Sequence, residues 1–104
     1  MKDNIDTKQI EELKVLAQQN SPSFMLIFHD YFHCFITRLN EVASSSLNHA
    51  EIEICAYFKI QFSTKDIALY LKCSLRSVEN KKYRIRKKLN LGSDVDFVLW
   101  MAQF

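Results

Sequence analysis

The sequence predicts an all-α fold, and three observations carry that prediction. One Gly and one Pro among 104 residues are far too few for the turns that a β fold needs. Apolar residues recur at three-to-four spacing rather than in alternation. Capping boxes of the form S/N-x-x-D/E stand ahead of apolar runs: Asn48 with Glu51, Ser63 with Asp66, and Ser93 with Asp96. With 48% hydrophobic residues, the chain fits one small domain, or one domain with a helical extension.

Asp6 or Thr7 can cap a first helix through about Gln19, with an irregular apolar face of Ile10, Leu13, Val15, Leu16 and Ala17. Ser21-Pro22 reads as an N-cap followed by proline at the first helical position. It opens one long aromatic helix, "PSFMLIFHDYFHCFITRLNEVA", whose stripe runs through Phe24, Phe28, Tyr31 or Phe32, Phe35, Leu39 and Val42. "SSS" at 44–46 closes this half, giving an N-terminal helical extension over 1–46, for packing or dimerisation, ahead of a domain over 47–104.

In the second half, Asn48 opens a helix to about Ile60 and Ser63 a short one to about Leu71. Ser74 caps a helix of about 75–89, with Asn90 suited to a left-handed C-terminal cap, and Ser93 opens the last helix, "DVDFVLWMAQ". Four helices, the middle two separated only by about "KCS", form a helix-turn-helix layout.

Charge is segregated along the chain. Residues 1–58 carry four Lys/Arg against eight Asp/Glu, and residues 59–91 carry ten against two. The stretch "SLRSVENKKYRIRKKLNL" concentrates seven basic residues and one acidic one. On a helical wheel Val78, Ile85 and Leu89 mark the core side, expected to pack on Ile54, Phe58, Ile67 and Leu71. Arg76, Asn80, Tyr83, Arg84 and Lys87 gather opposite, while Lys82 falls near the apolar seam. Like charges at i,i+4 repel without local compensation, so this face is made for a polyanion rather than for solubility alone. Long basic chains, an amide and a phenol suit phosphate contacts and base-edge hydrogen bonds in a major groove.

From Leu47 to Leu91, "LNHAEIEICAYFKIQFSTKDIALYLKCSLRSVENKKYRIRKKLNL" resembles the LuxR/GerE-type helix-turn-helix domain of bacterial transcription regulators without a gap. Leu47, Glu51, Glu53, Ile54, Ser63, Lys65, Ile67, Ala68, Leu71, Ser74, Val78, Ile85, Lys88 and Leu89 sit on matching columns. The resemblance implies a tetrahelical domain whose third helix enters the major groove and whose fourth contributes to dimerisation. It puts Glu79, Asn80 and Tyr83 on base-reading columns and Lys65 and Ser77 on phosphate. With the wheel, the base-reading candidates are Glu79, Asn80, Tyr83, Arg84 and Lys87, and the phosphate candidates Lys65, Arg76, Ser77, Lys81 and Lys88. Glu79 departs from the usual Lys, and a Glu there accepts from cytosine rather than donating to guanine. Gln61 and Lys72 replace common Gly residues, and Lys81 the usual His.

The expected function is therefore sequence-specific binding of double-stranded DNA and regulation of transcription. The alternative is a helix-turn-helix interaction module without independent DNA binding, supported by Glu79, or a fold like sigma-factor region 4. Asp66-Ile67-Ala68 and the terminal "KKLNL" favour the LuxR/GerE type. An upstream sensory domain or partner protein is compatible with this reading.

A homodimer is expected through the last helix. Val95, Val98, Leu99 and Ala102 are expected to pack inward, leaving Phe97, Trp100 and Met101 for the partner. Phe28 and Phe35 on the aromatic helix form a second candidate face.

No enzyme is expected, since no Gly-rich phosphate loop, nucleophile elbow or paired carboxylates in an obvious pocket occur. His29 and His33 lie four apart beside Cys34, but no second ligand cluster exists apart from His49, so neither metal nor cofactor is expected. Cys55 and Cys73 read as small core hydrophobes, and the three cysteines as reduced thiols. No apolar run reaches membrane-spanning length and the polar start is no signal peptide, so a cytoplasmic location is expected.

Overall fold

Seven helices and no strand make up the described residues, 5–104, of this computed structural model: α1 (Thr7–Gln18), α2 (Phe24–Tyr31), α3 (Phe35–Val42), α4 (His49–Lys59), α5 (Thr64–Tyr70), α6 (Leu75–Lys88) and α7 (Phe97–Gln103). The polar start read as no signal peptide lies partly outside them, in residues 1–4.

Local hydrogen bonds set the helix starts. Asp6 accepts from the Gln9 amide at 2.8 Å while the Gln9 side chain accepts from Asp6 at 3.1 Å. The same reciprocal box joins Asn48 to Glu51 and Ser63 to Asp66. Ser74 Oγ caps α6 by accepting from the Ser77 amide at 3.0 Å. Each satisfies amides that a helix leaves without partners.

Four helices end alike, with one residue in the left-handed region: Asn20 after α1, Gln61 after α4, Lys72 after α5 and Asn90 after α6, at φ 50°, 71°, 55° and 58°. In each, the next amide reaches back to close the turn, as Phe62 N–H does to the Tyr57 carbonyl and Leu91 N–H to Arg86. Asn90 thus takes the expected conformation.

Two boundaries differ from expectation. The long aromatic helix is broken at 32–34, and it starts at Phe24, since Pro22 lies in a turn that the Phe24 amide closes onto the Ser21 carbonyl. A straight helix over 22 residues would run about 33 Å, against a longest molecular extent of 34 Å. "DYFHCFIT" is also rich in aromatic and β-branched residues that favour helix weakly. Breaking there lets α2 and α3 curve around the core. The last helix opens at Asp96, which accepts from the Leu99 amide, and not at Ser93. Arg86 holds residues 92–95 out of helix by donating to the Gly92 and Val95 carbonyls.

One core joins both halves. Phe24 lies edge-on to Tyr57 with ring centroids 4.6 Å apart, Phe28 meets Phe35, and Phe35 meets Phe104. Val78, Ile85 and Leu89 are buried with Ile54, Phe58 and Ile67 as expected, while Leu71 is half-buried. Val42 departs from its stripe and is exposed.

The orientation of α7 corrects the sequence reading. Phe97 and Met101 are 2% and 0% exposed and lie in the core, so they do not face solvent. Trp100 is half-buried and stacks on Phe104 with ring centroids 4.9 Å apart. Leu99, expected inside, is 54% exposed, with Val95, Val98 and Ala102 half-buried. Both stripes have helical spacing, and Phe58, edge-on to Phe97, marks the side that faces the core. Phe28 and Phe35, the second candidate dimer face, are likewise 0% and 1% exposed.

Candidate nucleic-acid interface

Helices α4, α5 and α6 aim the candidate residues. α5 packs on α6, and α6 rests on α4 through Val78 and Ile85, which are wholly buried. The face opposite those anchors is turned outward. Arg76, Glu79, Asn80, Tyr83, Arg84 and Lys87 are all exposed, and Tyr83 is 60% exposed. The fold therefore gathers the five base-reading candidates and Arg76 on one face of one helix. Lys87 Nζ stands 5.0 Å from the centre of the Tyr83 ring, a cation–π contact that steadies two of them.

The phosphate candidates divide. Lys65 is exposed on the first turn of α5. Ser77 and Lys81 are half-buried neighbours, with Lys81 Nζ donating to Ser77 Oγ at 3.0 Å. Lys88 departs from its expected place toward phosphate. Its ammonium turns to Glu51 Oε1 at 2.7 Å and to the Ser46 carbonyl at 3.1 Å. Lys82 takes the predicted seam position, with Nζ 5.8 Å from the Phe58 ring centre and 5.9 Å from that of Phe97. It also pairs loosely with Glu79 at 3.8 Å.

Glu51 does more than close the capping box read from its spacing. Its side chain serves both the Asn48 box and Lys88, although only 1% of the residue is exposed. Burial pushes its carboxyl up, but the Lys88 ammonium, the Asn48 amide and the charge of Arg84 together hold it below its ordinary value. The capping box could be read from spacing. The partner 37 residues away could not, because only the packing of α4 on α6 brings the two together.

Basic charge also sits where the helix tolerates it. Arg86, Lys87 and Lys88 occupy the last turn of α6, where the backbone dipole favours cations and offsets part of their mutual repulsion. The arrangement offers a rigid, outward, cationic face interleaved with an amide, a phenol and one carboxylate.

The family model for bacterial regulatory proteins of the luxR family, GerE, matches residues 45–101, just over half of the chain. The chain belongs to the luxR family. No curated protein and no solved structure matches it. The matched residues span α4, α5, α6 and most of α7. This is a family of DNA-binding regulators rather than of enzymes.

His29 lies on α2 and His33 in the turn that follows, so the break removes their common helix face. Among the described residues, no group of three or more His, Cys, Asp or Glu gathers to hold a metal ion. Cys55 is buried, and burial pushes its thiol pKa up, as befits an inert core residue. No helix among the described residues is long and apolar enough to cross a membrane.

Proposed function

We propose that this luxR-family chain binds duplex DNA sequence-specifically, with α6 in the major groove, and regulates transcription. The single observation that carries the reading is the outward face of α6, where Arg76, Asn80, Tyr83, Arg84 and Lys87 are exposed together above a buried anchor of Val78 and Ile85. Asn80 and Tyr83 offer hydrogen bonds to base edges, and Glu79 accepts from the amino group of cytosine. Lys65, Arg76 and Lys81 supply charge directed to phosphate.

The chain acts as a homodimer through α7. Exposed Leu99, flanked by half-buried Val95, Val98 and Ala102, forms the apolar stripe left open on the helix that dimerises in the resemblance described above. The two-fold partner would then present a second recognition helix about one DNA turn away.

The test is duplex binding by the Arg76→Ala/Lys81→Ala variant at several salt concentrations. Losing two phosphate-directed charges lowers affinity and flattens the salt slope by about two. Unchanged binding overturns the assignment of this face. An interaction module that keeps the fold, the second reading favoured by the exposed Glu79, predicts no salt-dependent duplex binding at all.

A further inference from the structure

Four hydrogen bonds converge on the last turn of α6. The Lys88 carbonyl accepts from the Ser44 amide at 2.7 Å and from the Ser44 hydroxyl at 3.0 Å. In return the Lys88 ammonium donates to the Ser46 carbonyl at 3.1 Å and to Glu51 Oε1 at 2.7 Å. The segment between α3 and α4 and the first turn of α4 are thereby tied to the end of the recognition helix. Glu51 Oε2, the other carboxylate oxygen, is buried with no hydrogen-bond partner, so the Lys88 contact is the main compensation of a buried charge.

We propose that Lys88 is a positioning residue for DNA binding, which fixes the C-terminal end of α6 on Glu51 and on the segment at 44–46 instead of contacting phosphate. The inference rests on the DNA-binding reading above. To reach phosphate, the ammonium would have to leave a carboxylate that has almost no access to water, and stranding that charge costs more than one exposed phosphate contact returns. Lys87, one residue and about 100° away on the helix, is exposed and free of that constraint. The brace also makes residues 44–46 a mechanical link. Displacing α3 pulls Ser44 and Ser46 away from α6 and loosens the helix that carries Arg84 and Lys87.

The experiment compares wild type, Lys88→Met, Glu51→Gln and the double variant. It reads duplex affinity over a salt series and amide hydrogen exchange at the end of α6 in the free protein. Glu51→Gln is the discriminating variant, since it removes a negative charge and frees the Lys88 ammonium. Positioning predicts weaker binding by roughly tenfold, faster exchange in the last turn of α6, and an unchanged salt slope. A phosphate contact predicts equal or tighter binding instead, and that result overturns the proposal.

Lys88→Met lowers affinity similarly with the slope unchanged, and the double variant recovers most of the loss because neither partner is left charged. A slope reduced by about one in Lys88→Met and in the double variant, with no recovery, assigns Lys88 to phosphate and also overturns the proposal. If Lys88→Met does not fold, Glu51→Gln alone decides. Wild type without salt-dependent binding overturns the DNA-binding reading itself, and with it this role. Wild type that binds, alongside a Glu51→Gln variant that binds as tightly, overturns the positioning role alone.

Discussion

Phe97 stands edge-on to Phe58, ring centroids 5.3 Å apart and planes at 89°, and Lys82 reaches over both rings. This contact ties the first turn of α7 to the end of α4 and decides which side of the final helix faces the core. Phe97→Ala should therefore cost roughly 3–5 kcal/mol of stability, whereas Leu99→Ala should stay within about 0.5 kcal/mol in the monomer. Urea unfolding of both variants at dilute concentration checks the order. The reverse order would mean that α7 is turned the other way.

The same orientation moves the expected dimer seam. Leu99→Asp should convert a dimer into a folded monomer in light scattering, because it puts a carboxylate in the middle of the stripe left open. Phe28→Ala and Phe35→Ala should instead lower the melting temperature without acting selectively on mass, since both rings are core. A dimer that survives Leu99→Asp places the seam elsewhere.

Gln61 and Lys72 sit at φ 71° and 55°, where a Cβ is crowded and glycine is not. Gln61→Gly and Lys72→Gly should each raise stability by roughly 0.5–1 kcal/mol, the relief of the left-handed strain less the added freedom of the unfolded chain. Thermal unfolding of each single variant measures this. A loss of stability would show that the side chains contribute more than their conformation costs.

Glu51 gives stability a pH dependence of definite sign. Its folded pKa lies below its ordinary value, so its ionised pair with Lys88 contributes fully above the ordinary glutamate range. That contribution disappears as pH falls through the lower folded value. Glu51→Gln should cost roughly 1–3 kcal/mol at neutral pH and show a shallower decline than wild type in the acid range. Parallel acid declines for the two proteins would remove Glu51 from the account.

Much of this fold could be read locally. Asp6, Asn48, Ser63 and Ser74 cap their helices through partners three residues on, so spacing alone finds them. The outward set on α6 was equally legible, because Val78, Ile85 and Leu89 leave a helix only one way to face. What escaped depended on neighbours far along the chain. Two apolar stripes competed on α7, and only the position of Phe58 selects Phe97 and Met101. The break at 32–34 lets α2 and α3 curve around the core, and Lys88 turns inward because Glu51 waits there. Phe58 and Glu51 each lie far along the chain from the residue they orient.

The most direct test of the central claim is the salt dependence of wild-type binding to random duplex DNA. Five cationic side chains, Lys65, Arg76, Lys81, Arg84 and Lys87, lie on α5 and α6 away from the Glu51 brace. At about 0.9 per neutralised phosphate, log Kobs against log salt should fall with a slope of about −4.5 for one protomer and about twice that for a dimer. A slope near zero, with the protein folded, would contradict DNA binding and leave the helix-turn-helix as an interaction surface.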